Sequence, residues 1–169
     1  MLKTATISPC GKYRYTLRRI WDHALPPCYW IMLNPSTADD KEDDPTIRRV
    51  IGFSRSWGCG SADVFNLFAL RATDPMALQL EDDPVGPEND HHLSTIAKDR
   101  MVVAAWGTWG DYRSRALAMR RMFDGRLICL GTTKDGHPRH PLYVRADAPR
   151  VPYPLVAAQS SPRCEGGGG

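Results

Sequence analysis

Short apolar runs alternate along the chain with polar, turn-rich segments. Apolar runs bounded by turn residues are typical of strands buried on both faces, as in a parallel sheet covered by helices. Between these runs, apolar residues recur at helical spacing and predict amphipathic helices. The predicted strands span residues 29–33, 62–70, 101–106 and 126–130, and the predicted helices span residues 45–57, 86–98 and 111–123.

Capping residues mark where two of these helices begin. Asp44 fits an N-cap and Pro45 fits the first helical position, because proline lacks the amide hydrogen that this position leaves unpaired. Asp111 is expected to cap the last predicted helix. In that helix the residues expected to face the core are Tyr112, Ala116, Met119 and Phe123, and those expected to face outward are Arg113, Arg120 and Arg121.

Four strands with intervening helices predict a three-layer α/β/α sandwich around a central, mainly parallel four-stranded sheet. Turn residues and a run rich in strand formers within residues 1–27 predict an N-terminal β-hairpin ahead of this fold. We expect a single domain over residues 1–150. Prolines and the final glycine run predict a flexible tail over residues 151–169.

The composition is that of an ordinary soluble protein. The chain has 169 residues, of which 42% are hydrophobic and 24% are charged, and it contains no apolar run long enough to span a membrane. Its five cysteines are odd in number and show no Cys-x-x-Cys spacing, which is evidence against a disulfide framework and a zinc site. We therefore expect a cytoplasmic protein, monomeric, with no bound metal.

Positive charge is concentrated in the last third of the chain. Residues 111–169 carry 10 basic and 5 acidic side chains, whereas residues 1–110 carry 12 basic and 14 acidic ones. This distribution is compatible with contacts to a phosphate backbone. It is equally compatible with an arginine-rich helix face that is simply solvated.

Each predicted strand contains or leads into distinctive side chains, and the carboxyl ends of parallel strands meet at one edge of a sheet, where ligands bind. We therefore expect these side chains to converge although they lie far apart in the sequence. An amide within a buried strand must be hydrogen-bonded, so the amide of the second strand is either a structural bridge or a ligand reader. The converging residues are Asn34-Pro35-Ser36 after the first strand, Asn66 in the second, Trp106-Gly107 at the end of the third, and His137 and His140 after the fourth.

Seven uncommon motifs occur in order along the chain, and together they resemble the DUF1643 family, whose name records no function. The similarity covers about residues 1–145. The motifs are MLNPSTAD (32–39), DPTIRR (44–49), NLFA (66–69), RATDP (71–75), GPEND (86–90), AWG (105–107) and HPLY (140–143).

More distantly, the layout resembles the uracil-DNA glycosylase superfamily, whose four-stranded parallel sheet lies between helices. Asn34-Pro35 is similar to the Asn-Pro step of its mismatch-specific members, and Asn66 is similar to its base-reading asparagine. Its last loop carries His-Pro followed by Pro-Leu, and the corresponding stretch here, residues 137–142, contains one residue more. Either His137 or His140 therefore corresponds to the functional histidine, and we favour His140 because Pro141-Leu142 follows it directly.

The resemblance implies cleavage of the N-glycosidic bond of a flipped, modified or mismatched base in DNA, in repair or in defence against modified viral DNA. Asn34 would orient water, His140 would donate a hydrogen bond to the departing base, and Asn66 would read the base edge. No metal or organic cofactor is required. Other residues implied in base binding are Pro35, Ser36, Gly107, His137 and, as aromatic platforms, Phe53, Phe68 and Trp106; those implied in DNA contacts are Arg48, Arg113, Arg120, Arg121, Arg139 and Leu142.

Two other functions fit the same residues. The same pocket without a DNA groove would suit an enzyme that acts on free nucleotides or nucleosides. A non-catalytic module that binds a modified base is consistent with the absence of an Asp at the first motif, where Asn34 stands.

Overall fold

A computed structural model describes residues 1–36 and 41–154, which form one mixed sheet with helices. The strand order across the sheet is β1-β2-β4-β3-β5-β6-β7. The strands are β1 Leu2–Ile7, β2 Arg14–Ile20, β3 Pro27–Met32, β4 Ser61–Asn66, β5 Val102–Ala104, β6 Leu127–Cys129 and β7 Val151–Pro152.

The sheet has seven strands, so the expectation of a four-stranded sheet is wrong. The four predicted strands, β4, β3, β5 and β6, are present and parallel to one another. The N-terminal hairpin does not stand apart, because β2 pairs antiparallel with β4, with Leu17 opposite Val64. At the other edge β7 pairs antiparallel with β6. These added strands form hydrogen bonds with backbone N–H and C=O groups that the edges of a four-stranded sheet would leave unpaired.

The helices are α1 Pro45–Ser56, α2 Ala77–Leu80, α3 Asn89–Ser94 and α4 Arg115–Met122. Helix α1 begins as predicted, with the Asp44 side chain accepting a hydrogen bond from the backbone N–H of Ile47 at 2.7 Å. The prediction of one helix from Asp111 is wrong. A 3₁₀ segment, Gly107–Ser114, precedes α4, and positive φ angles at Arg113 and Ser114 break the helical path between them.

Two hydrophobic clusters lie on opposite faces of the sheet, because successive strand residues point to opposite sides. Trp30 of β3 packs with Val50 of α1 in one cluster. Its neighbour Ile31 belongs to the other cluster, together with Leu93 of α3 and Met119 of α4. Helices therefore cover both faces, and the carboxyl ends of the parallel strands open at one edge.

The folded domain continues past residue 150. Strand β7 lies within the predicted tail, and Tyr153 is buried, with its ring 5.7 Å from that of Trp106. Residues 155–169 of the predicted tail lie outside the described residues. Within the described part of the chain, no helix is both long enough and apolar enough to cross a bilayer.

Candidate functional site

A cavity of about 280 Å³ opens where the parallel strands end, and we call it the central cavity. Its walls come from the segment after β3, the last residue of β4, the segment after β5 and the loop after β6, which the parallel topology brings to one edge. Residues far apart in the sequence thus share one pocket. The sequence-predicted residues that line it are Asn34, Pro35, Ser36, Asn66, Trp106 and His140.

The side chain of Asn34 is held in one orientation by the backbone. Its amide nitrogen donates hydrogen bonds to the carbonyl oxygens of Ala72 at 2.9 Å and Pro35 at 3.1 Å. Both amide hydrogens are therefore used within the protein. The side-chain carbonyl oxygen remains as the group of Asn34 that can accept a hydrogen bond in the cavity.

Asn66 is 3% exposed and lines the cavity, and its side chain makes no hydrogen bond to any described residue. The described contacts therefore do not support the interpretation of the Asn66 side chain as a structural bridge. A buried Asn89 bridges α3 to the end of β4, because its side-chain amide donates to the backbone oxygens of Asn66 at 2.9 Å and Leu67 at 3.2 Å. The Asn66 side chain therefore offers a donor and an acceptor at the wall of the central cavity.

His140 caps the short 3₁₀ helix Pro141–Tyr143, and its Nδ1 accepts a hydrogen bond from the backbone N–H of Leu142 at 3.2 Å. Burial lowers the pKa of His140, and the nearby carboxylate of Asp44 opposes this shift. The imidazole is therefore neutral near pH 7, with its proton on Nε2. Because Nδ1 is occupied as an acceptor, Nε2–H is the group that can donate to a ligand.

Helix α1 holds the loop that carries His140. The guanidinium of Arg49 donates to the backbone oxygen of Pro141 at 3.2 Å and to that of Val144. The same helix places Asp44, Thr46 and Ile47 in the wall of the central cavity. One element thus supports two sides of the pocket.

His137 lies elsewhere in the same loop. Its backbone N–H donates to Oγ1 of Thr133 at 3.2 Å, and its Nδ1 lies 3.9 Å from a carboxylate oxygen of the exposed Asp111. It is not among the residues that line the central cavity. Of the two histidines left open by the sequence, the structure brings His140 to Asn34 and Asn66.

All three aromatic candidates are buried, and one of them, Trp106, borders the central cavity. Trp106 lines the central cavity, and Gly110 packs directly against its indole ring. Phe53 is buried in the core under α1, with its ring 5.6 Å from that of Trp57, and Phe68 is buried on the opposite face of the sheet. Neither Phe53 nor Phe68 lines the central cavity, and their role as base platforms stays a prediction.

Several polar wall residues were not predicted. Helix capping fully accounts for Asp44, and Arg14 lies in a run of strand formers. The sequence therefore gives no separate reason to place either residue in a binding site. In the structure Arg14 is 7% exposed and lines the cavity beside Asn34 and Asn66. The polar wall residues that the sequence did not identify are Arg14, Asp44, Thr46 and Thr73.

A second cavity of about 440 Å³ adjoins the first, and we call it the aromatic cavity. Pro75, Trp106 and His140 belong to the walls of both, so the two spaces are contiguous. Gly107, predicted as a binding residue, lies in the wall of the aromatic cavity. The full wall is formed by Pro75, Trp106, Gly107, Thr108, Trp109, Thr133, Arg139, His140 and Tyr143.

The predicted DNA-contacting residues differ in exposure. Arg113 is exposed, with its guanidinium bonded to the backbone oxygens of Asp82 and Glu81. Arg120 is half-buried over the ring of Tyr153, 4.3 Å from its centroid, so the expectation that Arg120 faces outward is wrong. The predicted residues that the structure leaves exposed are Arg48, Arg113, Arg121, Arg139 and Leu142.

Metal-ligating groups do not cluster in the structure. Over residues 1–36 and 41–154, no group of three or more His, Cys, Asp or Glu side chains is arranged to hold a metal ion. The cysteines at positions 10, 28, 59 and 129 are free thiols.

Comparison with known proteins places the chain in a family. A family model described as "Protein of unknown function (DUF1643)" matches residues 14–142. No curated protein and no solved structure matches the chain, so these comparisons add no support for a relation to uracil-DNA glycosylases. The match covers most of the described sheet and every predicted residue of the central cavity, and the chain therefore belongs to the DUF1643 family.

Proposed function

We propose that this protein is a DNA glycosylase-like hydrolase that cleaves the N-glycosidic bond of a flipped, modified or mismatched base. One observation carries the proposal: Asn34, Asn66 and His140 line the same cavity, and each has one side-chain group of the required kind left for a ligand. The four parallel strands between helices are also compatible with the distant resemblance described above.

The reaction adds water to the sugar carbon as the bond to the base breaks. The carbonyl oxygen of Asn34, which accepts no hydrogen bond from the described residues, accepts one from this water and orients it, but a neutral amide cannot take its proton. Asp44 supplies a carboxylate in the same cavity wall, and one of its oxygens is used by the helix cap. We assign the proton acceptor role to Asp44.

The electron pair of the broken bond stays on the base, which leaves as an anion. His140 donates its Nε2–H to this developing charge, while Leu142 N–H keeps the ring in place through Nδ1. A neutral histidine suits this role because it donates a hydrogen bond without first having to lose or gain a proton. The lowered pKa of His140, which burial causes, keeps it neutral near pH 7.

Asn66 reads the edge of the base. Its amide presents a donor beside an acceptor, which complements the amide-like edge of a pyrimidine or an oxidised purine. The backbone around Asn66 is fixed independently of this side chain, since Asn89 supplies the internal bridge. Trp106 contributes an apolar wall for the base.

The DNA backbone would contact exposed basic residues. Arg48, Arg121 and Arg139 are exposed and available for phosphate contacts. Arg113 keeps part of its guanidinium on the backbone of residues 81–82 and contributes through its remaining donors. Leu142 is exposed beside His140 and is suited to fill the gap left by a flipped base.

The proposal is tested by single-turnover excision on DNAs that carry different modified bases, with alkali used to cleave the abasic products. His140→Ala and Asn34→Ala should each slow release about a hundred- to thousandfold, since removal of one group aimed at developing charge costs roughly 3–4 kcal/mol. Asn66→Ala should change which base is released. If the wild-type protein releases no base from any DNA, the enzymatic function is refuted.

Two matched controls separate catalysis from structure. His137→Ala removes the same side chain from the same loop outside the central cavity and should leave the rate near wild type. Asp44→Asn keeps an N-cap that can accept from Ile47 N–H, but it removes the charge. A rate equal to wild type in Asp44→Asn would exclude Asp44 as the proton acceptor.

Equal rates with free nucleosides and with DNA would instead favour a nucleoside hydrolase.

A further inference from the structure

The aromatic cavity has no role in the chemistry described above, although it shares three wall residues with the central cavity. The shared walls formed by Pro75, Trp106 and His140 mean that a ligand bound at the central cavity borders this second space. A volume of about 440 Å³ leaves room for a further ring system beyond the target base.

Two aromatic rings are presented in this cavity. Tyr143 is 80% exposed, an unusual state for a large aromatic side chain, and its ring lies 5.6 Å from that of His140. Trp109 forms another part of the wall and is half-buried. Exposed aromatic faces at the mouth of a pocket are suited to stack on flat, unsaturated rings.

Positive charge lies beside these rings. Arg139 is exposed in the same wall, and its Nε donates to the backbone oxygen of Thr132 at 3.1 Å, which holds the guanidinium at the cavity. Among the described residues, no acidic side chain lines this cavity. The combination of aromatic faces with a cation is the chemistry by which proteins hold single-stranded nucleic acid, with the bases stacked and the phosphate neutralised.

We propose that the aromatic cavity binds the nucleotide adjacent to the target base on the same DNA strand. Its base stacks on Tyr143 and Trp109, and the phosphate that joins it to the target nucleotide contacts Arg139. The inference rests on the proposed function and deepens it, because it assigns a binding site to a second nucleotide of the DNA strand that carries the target base.

The test is fluorescence anisotropy with labelled, unmodified single-stranded DNA. Tyr143→Ala should weaken binding about five- to a hundredfold, the usual effect of removing one base-stacking side chain, and Tyr143→Phe should restore it. Arg139→Gln should reduce the slope of log K against log salt by about 0.7. The matched control is Leu80→Ala, which removes a side chain that is 88% exposed on α2 and outside the aromatic cavity.

The outcomes separate this inference from the proposed function. If Tyr143→Ala binds DNA as tightly as the wild type, the subsite is refuted even when the protein releases a base. If a nucleoside monophosphate competes as well as a trinucleotide, the subsite is also refuted. If Tyr143→Ala loses affinity while the wild-type protein releases no base, the subsite is supported and the enzymatic function alone fails.

Discussion

The contact between Gly110 and Trp106 provides a sharp test of how the cavity wall is packed. A Cβ added at Gly110 would lie 2.3 Å from Cδ1 and 2.4 Å from Nε1 of the Trp106 indole, and 3.3 Å from Cβ of Ala116. These first two distances are far shorter than van der Waals contact. The indole is a rigid ring that is 2% exposed, so the ring or the 3₁₀ segment must move.

Gly110→Ala should therefore lower the free energy of unfolding by about 1–3 kcal/mol, the usual cost of adding a methyl group to a well-packed core. Trp106 borders both cavities, so the same displacement should also weaken substrate binding. The free energy of unfolding is measured by urea denaturation followed by circular dichroism. Binding is measured with the same labelled DNA used for the aromatic cavity.

Gly52→Ala is the matched control. A Cβ at Gly52 in α1 meets no atom within 4 Å, and the residue has no positive φ angle. Alanine should stabilise the protein there by about 0.5–1 kcal/mol, because glycine in a helix interior carries an entropic cost. If Gly110→Ala unfolds at the wild-type urea concentration while Gly52→Ala behaves as expected, the tight packing of Gly110 on Trp106 is refuted.

Three further predictions concern buried amides and titratable groups. Asn89→Ala should lower the free energy of unfolding by about 1–3 kcal/mol because the buried backbone oxygen of Asn66 loses a donor and that of Leu67 keeps the one from Arg115, whereas Asn66→Ala should melt near the wild-type temperature in a thermal scan. Burial lowers the pKa of His140 in the folded protein below its ordinary value of 6.5. As the pH falls, the unfolded chain therefore binds a proton at this histidine before the folded protein does. Stability should then fall as the pH drops from 6.5 toward the folded pKa, and His140→Asn should reduce this slope in urea denaturation. A hydrogen bond from Cys28 lowers the pKa of Cys59 to about 7, so alkylation of Cys59 by iodoacetamide, followed by mass spectrometry, should be half-maximal near that pH and shift upward in Cys28→Ala.

The sequence by itself determined the parts of the fold that depend on local patterns. The central strand around Trp30 and the helix that starts after Asp44 follow from apolar periodicity and capping, which act between residues near one another in the chain. It also indicated that Asn34, Asn66 and His140 would converge, because parallel strands end at one edge of the sheet.

Only the tertiary structure decided which strands complete the sheet and which side chains face the cavity. Pairing of β2 with β4 joins segments far apart in the chain, and no local pattern encodes such a partner. Phe53 and Trp106 are both buried aromatic residues in apolar surroundings, yet of the two Trp106 borders the central cavity and Phe53 does not. The local sequence cannot distinguish a core residue from a pocket residue, because both follow the same apolar pattern. They differ only in the elements that pack around them.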